Sequence, residues 1–319
     1  MSKPLALVIG ASRGLGLLIA DELLGHGYEV VITARDAAEL DRAAAQLTSG
    51  RRDVQVHPRV CDVRDREALT TLIDDVDETY GGIDTMIYVA GVIQAGPAES
   101  MGMAQFDEAM ETMGMGPVVA TLAVLPHLRR RGKGRIGVVT SIGGMVAPPH
   151  LLPYATAKFA AVGFTDGLAA ELAGTGITAT TVIPGLMRTG SHGRAQFAGD
   201  AAAEFAWFAP AASLPLLSID AGRAARRIVD GVLAGRPNVV LTPLAWLGIR
   251  ARGLAPGLTT RAMGLAVRLL PDAPSGQPTG TVPGEAARTG LQPAAARFVQ
   301  RLSVLGDRAA RRNNERPVA

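Results

Sequence analysis

Short apolar runs recur along the chain, separated by longer stretches in which apolar residues return every three or four positions. Leu5–Ile9, Glu29–Thr33, Val54–Val60, Thr85–Ala90, Arg135–Thr140, Thr178–Ile183 and Asn238–Leu241 span four to seven residues each and are rich in Val, Ile and Thr. Runs of that length and composition predict strands. Leu17–Leu24, Asp36–Leu47, Asp65–Tyr80, Met103–Arg131, Tyr154–Ala173 and Ala221–Ala234 carry helical periodicity between them. Strands alternating with helices predict an α/β fold: a doubly wound, seven-stranded parallel sheet with helices on both faces.

Past the seventh strand the pattern changes. Pro243–Leu270 is apolar with interspersed Arg250, Arg252, Arg261 and Arg268. It predicts a helical extension that packs on its own domain, lies on a membrane surface or binds a partner. Residues 271–284 are rich in Pro, Gly, Ser and Thr and read as a flexible linker. Residues 285–319 have helical spacing but little apolar surface, which predicts a weakly ordered tail. The expected organisation is therefore a main domain over 1–242, an extension over 243–270, a linker over 271–284 and a tail.

At 319 residues the chain can bury a sizeable core, and one domain with an extension is expected. Hydrophobic residues make up 48% and charged residues 19%, as in a soluble globular enzyme. Cys61 is the sole cysteine, so an internal disulfide is excluded and a reducing, cytoplasmic compartment is expected. A first strand beginning by Leu5 leaves no room for a cleavable leader, and no uninterrupted apolar run reaches the ~18–20 residues of a membrane span. The net charge of +3 is uneven: from Val282 onward seven arginines face three acids, about +4, leaving the remainder near −1. The tail lacks interleaved aromatics for base stacking, so no nucleic-acid partner is expected.

Two motifs carry chemistry. After the first apolar run comes Gly10-Ala11-Ser12-Arg13-Gly14-Leu15-Gly16, then a helical stretch. Bare glycines let such a turn approach a pyrophosphate, which sits on the free N–H groups of the helix N-terminus. Further on, Tyr154 and Lys158 stand four apart on one helix face, with Ser141 thirteen residues before the tyrosine. An ammonium ~4 Å from a phenol at an effective dielectric of ~20 contributes roughly 4 kcal/mol, about three pK units. That would bring the phenol near working pH, where general acid–base catalysis is most efficient. No metal-ligand pattern is present.

The glycine loop, Ser141, Tyr154-x-x-x-Lys158 and Pro184-Gly185 resemble, in order and spacing, the short-chain dehydrogenase/reductase family over roughly Lys3 to Leu241. The resemblance implies a Rossmann-type domain, a nicotinamide cofactor, strand order 3-2-1-4-5-6-7 and a homodimer or homotetramer. It implies that Tyr154 donates a proton to a carbonyl oxygen, that Lys158 lowers the phenol pKa and holds the nicotinamide ribose, and that Ser141 positions the substrate oxygen. Thr140 is the competing hydroxyl. Pro184, Gly185, Met187 and Thr189 match the segment that orients the carboxamide. Asp62 with Val63 matches the adenine contact, although an aspartate there also suits a helix cap. Ala90 and Gly91 match the close approach to the adenine ribose. Residues 190–219 match a segment that closes over substrate; Phe197, Phe205, Trp207 and Phe208 suit either an apolar pocket or helix packing.

Relatives that use NAD place an acid at the end of strand two, whereas this chain has Ala34-Arg35 there and Arg13 in the loop. Two guanidiniums suit a 2′-phosphate, so NADP (NADPH) is expected over NAD. Two departures from the family pattern stand out. Tyr88-Val89-Ala90-Gly91 replaces the usual Asn-Asn-Ala-Gly, and Met113 falls where the catalytic asparagine is expected. A thioether cannot hold a relay water as an amide does. The favoured expectation is an NADP-dependent oxidoreductase acting on a hydrophobic ketone or secondary alcohol. The alternative is a catalytically weak nucleotide-binding regulatory or scaffold protein.

Overall fold

The protein was analysed as a computed structural model that describes residues 3–215, 217–273 and 280–315. Seven parallel strands form the central sheet: β1 (Leu5–Ile9), β2 (Glu29–Ala34), β3 (Val56–Val60), β4 (Ile83–Tyr88), β5 (Gly134–Val139), β6 (Ile177–Ile183) and β7 (Asn238–Val240). Their spatial order is β3-β2-β1-β4-β5-β6-β7, as the resemblance implies. β1 and β4 are buried along nearly their whole length, which is why their sequences do not alternate.

Helices α1 (Gly14–Gly25), α2 (Ala37–Thr48), α3 (Arg66–Tyr80), α4 (Met103–Arg131), α5 (Leu152–Glu171), α6 (Ala201–Ser213) and α7 (Ala221–Leu233) cover the sheet. One apolar layer gathers Leu5, Leu7, Ile73, Val124 and Leu168. The other gathers Val8, Leu23, Ile32, Ile228 and Val232. Asp36, Asp65, Asp200 and Asp220 each cap the helix they precede by accepting a backbone N–H. The reversal of strand order beside β1 and β4 opens the crevice in which this class of sheet takes its ligands.

α4 is long and apolar enough to cross a bilayer, yet 56% of its most apolar window is buried against the domain. Its middle, Met110–Met115, is π-helical. Beyond the sheet, α8 (Pro243–Leu254) and α9 (Pro256–Ala266) form the extension, and α9 buries no residue. Within the expected linker, residues 274–279 lie outside the described residues, whereas Val282–Pro283 is a short strand antiparallel to Gln196–Phe197.

The described part of the expected tail is helical and packed. α10 (Gly284–Thr289) leads into α11 (Pro293–Arg312), a 20-residue helix packed along α6. α11 buries small residues, Val299, Ser303, Gly306, Ala309 and Ala310, so its contact face carries too little apolar bulk to stand out in the sequence. The buried Asp307 pairs with His192, and Arg288 also reaches its carboxylate.

Candidate active site

β1 to β6 all end on the same edge of the sheet, and the residue after each end belongs to one cavity of about 780 Å³. Every residue proposed from the sequence as catalytic or cofactor-binding lines it, from Gly10 on the first loop to Thr189 beyond the sixth strand.

At the first loop the glycines are needed for contact distance as well as for turning. Gly10 has φ +91°, and a Cβ there would stand 2.5 Å from the Ala90 nitrogen. A Cβ on Gly16 would strike the Gly10 carbonyl. The loop therefore lies flat against the strand β4 loop and delivers the N-terminus of α1 to the cavity. Gly91 is less tightly confined: a Cβ there would lie 3.2 Å from the Met113 sulfur. This bare cradle fits a dinucleotide, with Gly14, Leu15 and Gly16 beside its pyrophosphate and Asp62 and Val63 at its adenine end.

Asp62 is not poised as a lone acceptor. Arg64 grips its carboxylate with Nε and Nη2 at 2.6–3.1 Å, and that contact holds its carboxyl below the usual range, with Arg35 adding to the effect. Next to it the Cys61 thiol is pushed up to about 11, first by burial and then by Asp62 and Asp65, so it is a thiol at neutral pH.

The two predicted arginines part company. Arg35 is exposed at the cavity rim after β2. Arg13 is ion-paired to Glu39, and Arg194 reaches the same carboxylate at 2.7 Å. Glu39 is only 4% exposed and sits at the first turn of α2, where sequence gave no reason to distinguish it from a surface acid. Arg13 thus lines the cavity while paired to Glu39, whereas Arg35 stands open at its rim.

At the other end of the cavity stand Ser141, Tyr154 and Lys158. Thr140 spends its hydroxyl on the Val182 carbonyl at 2.6 Å, which removes it as a competitor of Ser141. Ser141 Oγ accepts the Gly143 N–H at 2.9 Å and hydrogen-bonds the Tyr154 oxygen. Burial nevertheless raises the phenol above its ordinary value, the Ser141 contact pulling the other way. Lys158 Nζ donates to the Val139 carbonyl at 2.8 Å and lies 5.8 Å from the Tyr154 ring centre. Burial lowers this amine to about 8. Lys158 thus spends a donor on a strand carbonyl, and burial is the larger influence on the Tyr154 phenol.

The departures from the family pattern have structural partners. The Tyr88 hydroxyl donates to the Thr112 carbonyl at 2.6 Å, a bond into the π-helical turn, and its burial drives the phenol pKa up. Gly116 makes room, because a Cβ there would collide with that hydroxyl. Met113 is 1% exposed and packs with Ala109, Ala157 and Tyr154, so a thioether fills the place of the relay amide.

The four aromatics of 190–219 divide. Phe197 and Phe205 are buried and meet edge to face at 5.8 Å in the cluster beneath α11. Trp207 and Phe208 reach the cavity wall. Trp207 Nε1 donates to Glu204 at 2.7 Å, and the fully buried Glu204 also pairs with His150 at 2.7 Å. Neither Glu204 nor His150 was found from sequence.

The end of the tail is the largest omission. Gly14 N–H donates to the Asn313 carbonyl at 2.8 Å, and the Asn314 amide donates to the carbonyls of Ser12 and Glu39 at 2.7 and 3.0 Å. The Glu315 carboxylate lies between Gly14 and Gly190, against positions where a Cβ on either glycine would collide with its oxygens. A tail 300 residues away in sequence leaves no local signal of this contact.

The model of the short chain dehydrogenase family matches residues 4–196, more than half of the chain. The chain belongs to that family. Among its curated relatives, "Oxidoreductase BOA17" of Botryotinia fuckeliana is 36% identical over 182 residues, which are 57% of this chain and 65% of that one, just under two thirds. Gluconate 5-dehydrogenase of Gluconobacter oxydans is 31% identical over 59% of this chain and 73% of its own length. A short-chain dehydrogenase of Streptomyces avermitilis superposes with a TM-score of 0.70 at 26% identity, covering 84% of this chain and 98% of that one. An actinorhodin polyketide ketoreductase structure with NADPH gives 0.65 at 28% identity, covering 78% and 99%. Family membership makes this chain an NAD(P)-dependent oxidoreductase.

Proposed function

We propose that the chain interconverts a hydrophobic ketone and a secondary alcohol, with NADPH as its preferred cofactor. The observation that carries this reading is the meeting of Ser141 and Tyr154 on the floor of a cavity walled by Ile142, Leu151, Trp207, Phe208, Leu244 and Met263. When bound, the nicotinamide supplies hydride transfer to the carbonyl carbon. Ser141 holds the carbonyl oxygen, and Tyr154 donates its hydroxyl proton to that oxygen. The raised phenol suits a proton donor: reduction is supported while the phenol is protonated and fades at high pH, whereas alcohol oxidation needs the phenolate and gains there. Arg35 supports NADPH over NADH, as does the ketoreductase that holds NADPH. Exposed Leu122 and Phe159 on α4 and α5 support a homodimer or homotetramer.

Tyr154→Phe should remove at least 99% of turnover over a ketone panel while NADPH affinity, read by its fluorescence, changes less than threefold. Retained turnover would reject Tyr154 as the acid, and equal affinity for NADH and NADPH would reject the cofactor preference. Met113 favours a second reading, a nucleotide-binding protein with little catalysis, because the relay amide is missing. NADPH binding without turnover on any ketone in the panel would favour it.

A further inference from the structure

α1 begins at Gly14 on the cavity wall, with no side-chain cap from Arg13 and no acid of its own in the first turn. Such a helix end attracts an anion. The chain itself delivers one. After α11 ends, Asn314 takes φ +56°, a left-handed turn that asparagine tolerates, and the backbone doubles back onto the glycine loop. Asn313 takes the Gly14 N–H, Asn314 binds the loop carbonyl of Ser12, and Glu315 is 5% exposed with its carboxylate against Gly14 and Gly190. The seat is built from both sides: Arg42 and Gln46 of α2 hold Asn314 and the Arg312 carbonyl, and Arg194 Nε contacts the Glu315 carbonyl at 3.4 Å. Arg13 and Arg194 both reach Glu39 beside this seat.

We propose that the anion seat at the N-terminus of α1 is a shared binding site, filled by the chain's own Asn313–Glu315 segment until a dinucleotide pyrophosphate displaces it. The proposal rests on the dinucleotide reading above. A carboxylate and a pyrophosphate repel each other at contact distance, and both call on the same helix end. The dinucleotide therefore binds in competition with the tail. Because the tail is covalently attached, it competes at a high effective concentration and weakens the observed affinity without altering the cradle.

Three proteins test this: the full chain, a variant lacking residues 313–319, and the full chain with Glu315→Gln. NADPH fluorescence titration should show at least tenfold tighter binding to the truncated variant and about threefold tighter binding to Glu315→Gln. In the full chain, hydrogen exchange at the Glu315 amide, which donates to the Ala310 carbonyl at 3.0 Å, should rise with saturating inorganic pyrophosphate. Circular dichroism checks that the truncated variant folds; Glu315→Gln keeps side-chain shape and carries the test if it does not. Equal or weaker NADPH binding by Glu315→Gln, or exchange unmoved by pyrophosphate, would overturn the proposal. Failure of all three proteins to bind any dinucleotide, with pyrophosphate still releasing the tail, would instead reject the dinucleotide reading and leave the shared seat standing.

Discussion

Lys158 shows at the scale of one residue how a site can weigh against the fold that carries it. Its amine is 5% exposed, and burial lowers it from 10.5 to about 8. A group that folding makes harder to protonate costs stability wherever the unfolded chain would hold it charged. The cost, about 3 kcal/mol at most, is present in full below pH 8 and is relieved between about 8 and 10.5 as the folded protein sheds the proton first. Lys158→Met keeps the bulk and removes the charge. It should abolish turnover yet unfold no more easily than the parent at pH 7, with any gain shrinking toward pH 10 in denaturant titrations. A Lys158→Met protein that is several kcal/mol less stable at pH 7 would mean that the bond to the Val139 carbonyl outweighs the desolvation.

Among the elements, α6 does two jobs, and its sequence reveals only their sum. Phe205 faces α11 and Trp207 faces the cavity, one helical face each, so four aromatics in one segment were rightly ambiguous between packing and pocket. What decides the position of Trp207 is Glu204, a carboxylate with no exposure that joins the indole to His150 on the loop after β5. Glu204→Ala leaves the indole N–H and the imidazole without their shared acceptor. It should cost about 2–4 kcal/mol in denaturant unfolding. It should also raise KM for bulky ketones severalfold, with NADPH affinity unchanged because the cradle lies on other elements. Unaltered KM across ketones of different size would show that Trp207 is held by packing alone. The π-helical turn of α4 is likewise invisible in sequence, since it arises where Tyr88 of a neighbouring strand reaches the Thr112 carbonyl.

For the whole molecule, the extension leaves the largest question of contact. Between Pro243 and Leu270 there are four arginines and no acid, and Trp246, Leu247, Leu254, Leu258, Leu265 and Leu269 are all more than half exposed. Exposed apolar side chains interspersed with arginines are what contact with an anionic lipid surface would require, where each basic residue adds about 1 kcal/mol and apolar area inserts at the headgroup boundary. Leu244 and Met263 of the same pair of helices line the cavity, so a lipid-bound molecule would have its substrate opening beside the bilayer. Sedimentation with vesicles containing 30% phosphatidylserine should carry down the parent. Leu254→Ser combined with Leu269→Ser should reduce that fraction at least fivefold, and phosphatidylcholine vesicles should bind little. Partitioning indifferent to both changes would assign the surface to another copy of the chain or to a protein partner.

How much could be read from the amino acids alone follows from the range of the forces involved. Strand runs, helix periods and bare glycines are consequences of neighbours within a few positions, so, while the strand order came from the family resemblance, the strands, the glycine loop and the Tyr154–Lys158 face were legible. Charge partnerships were not. Which acid counters Arg13, which carbonyl takes the Lys158 ammonium, and which anion lies on α1 depend on residues that only folding brings together. The same holds for α11: its contact face is built of Ala, Ser and Gly, whose burial registers as packing against α6 and leaves almost no trace in hydropathy.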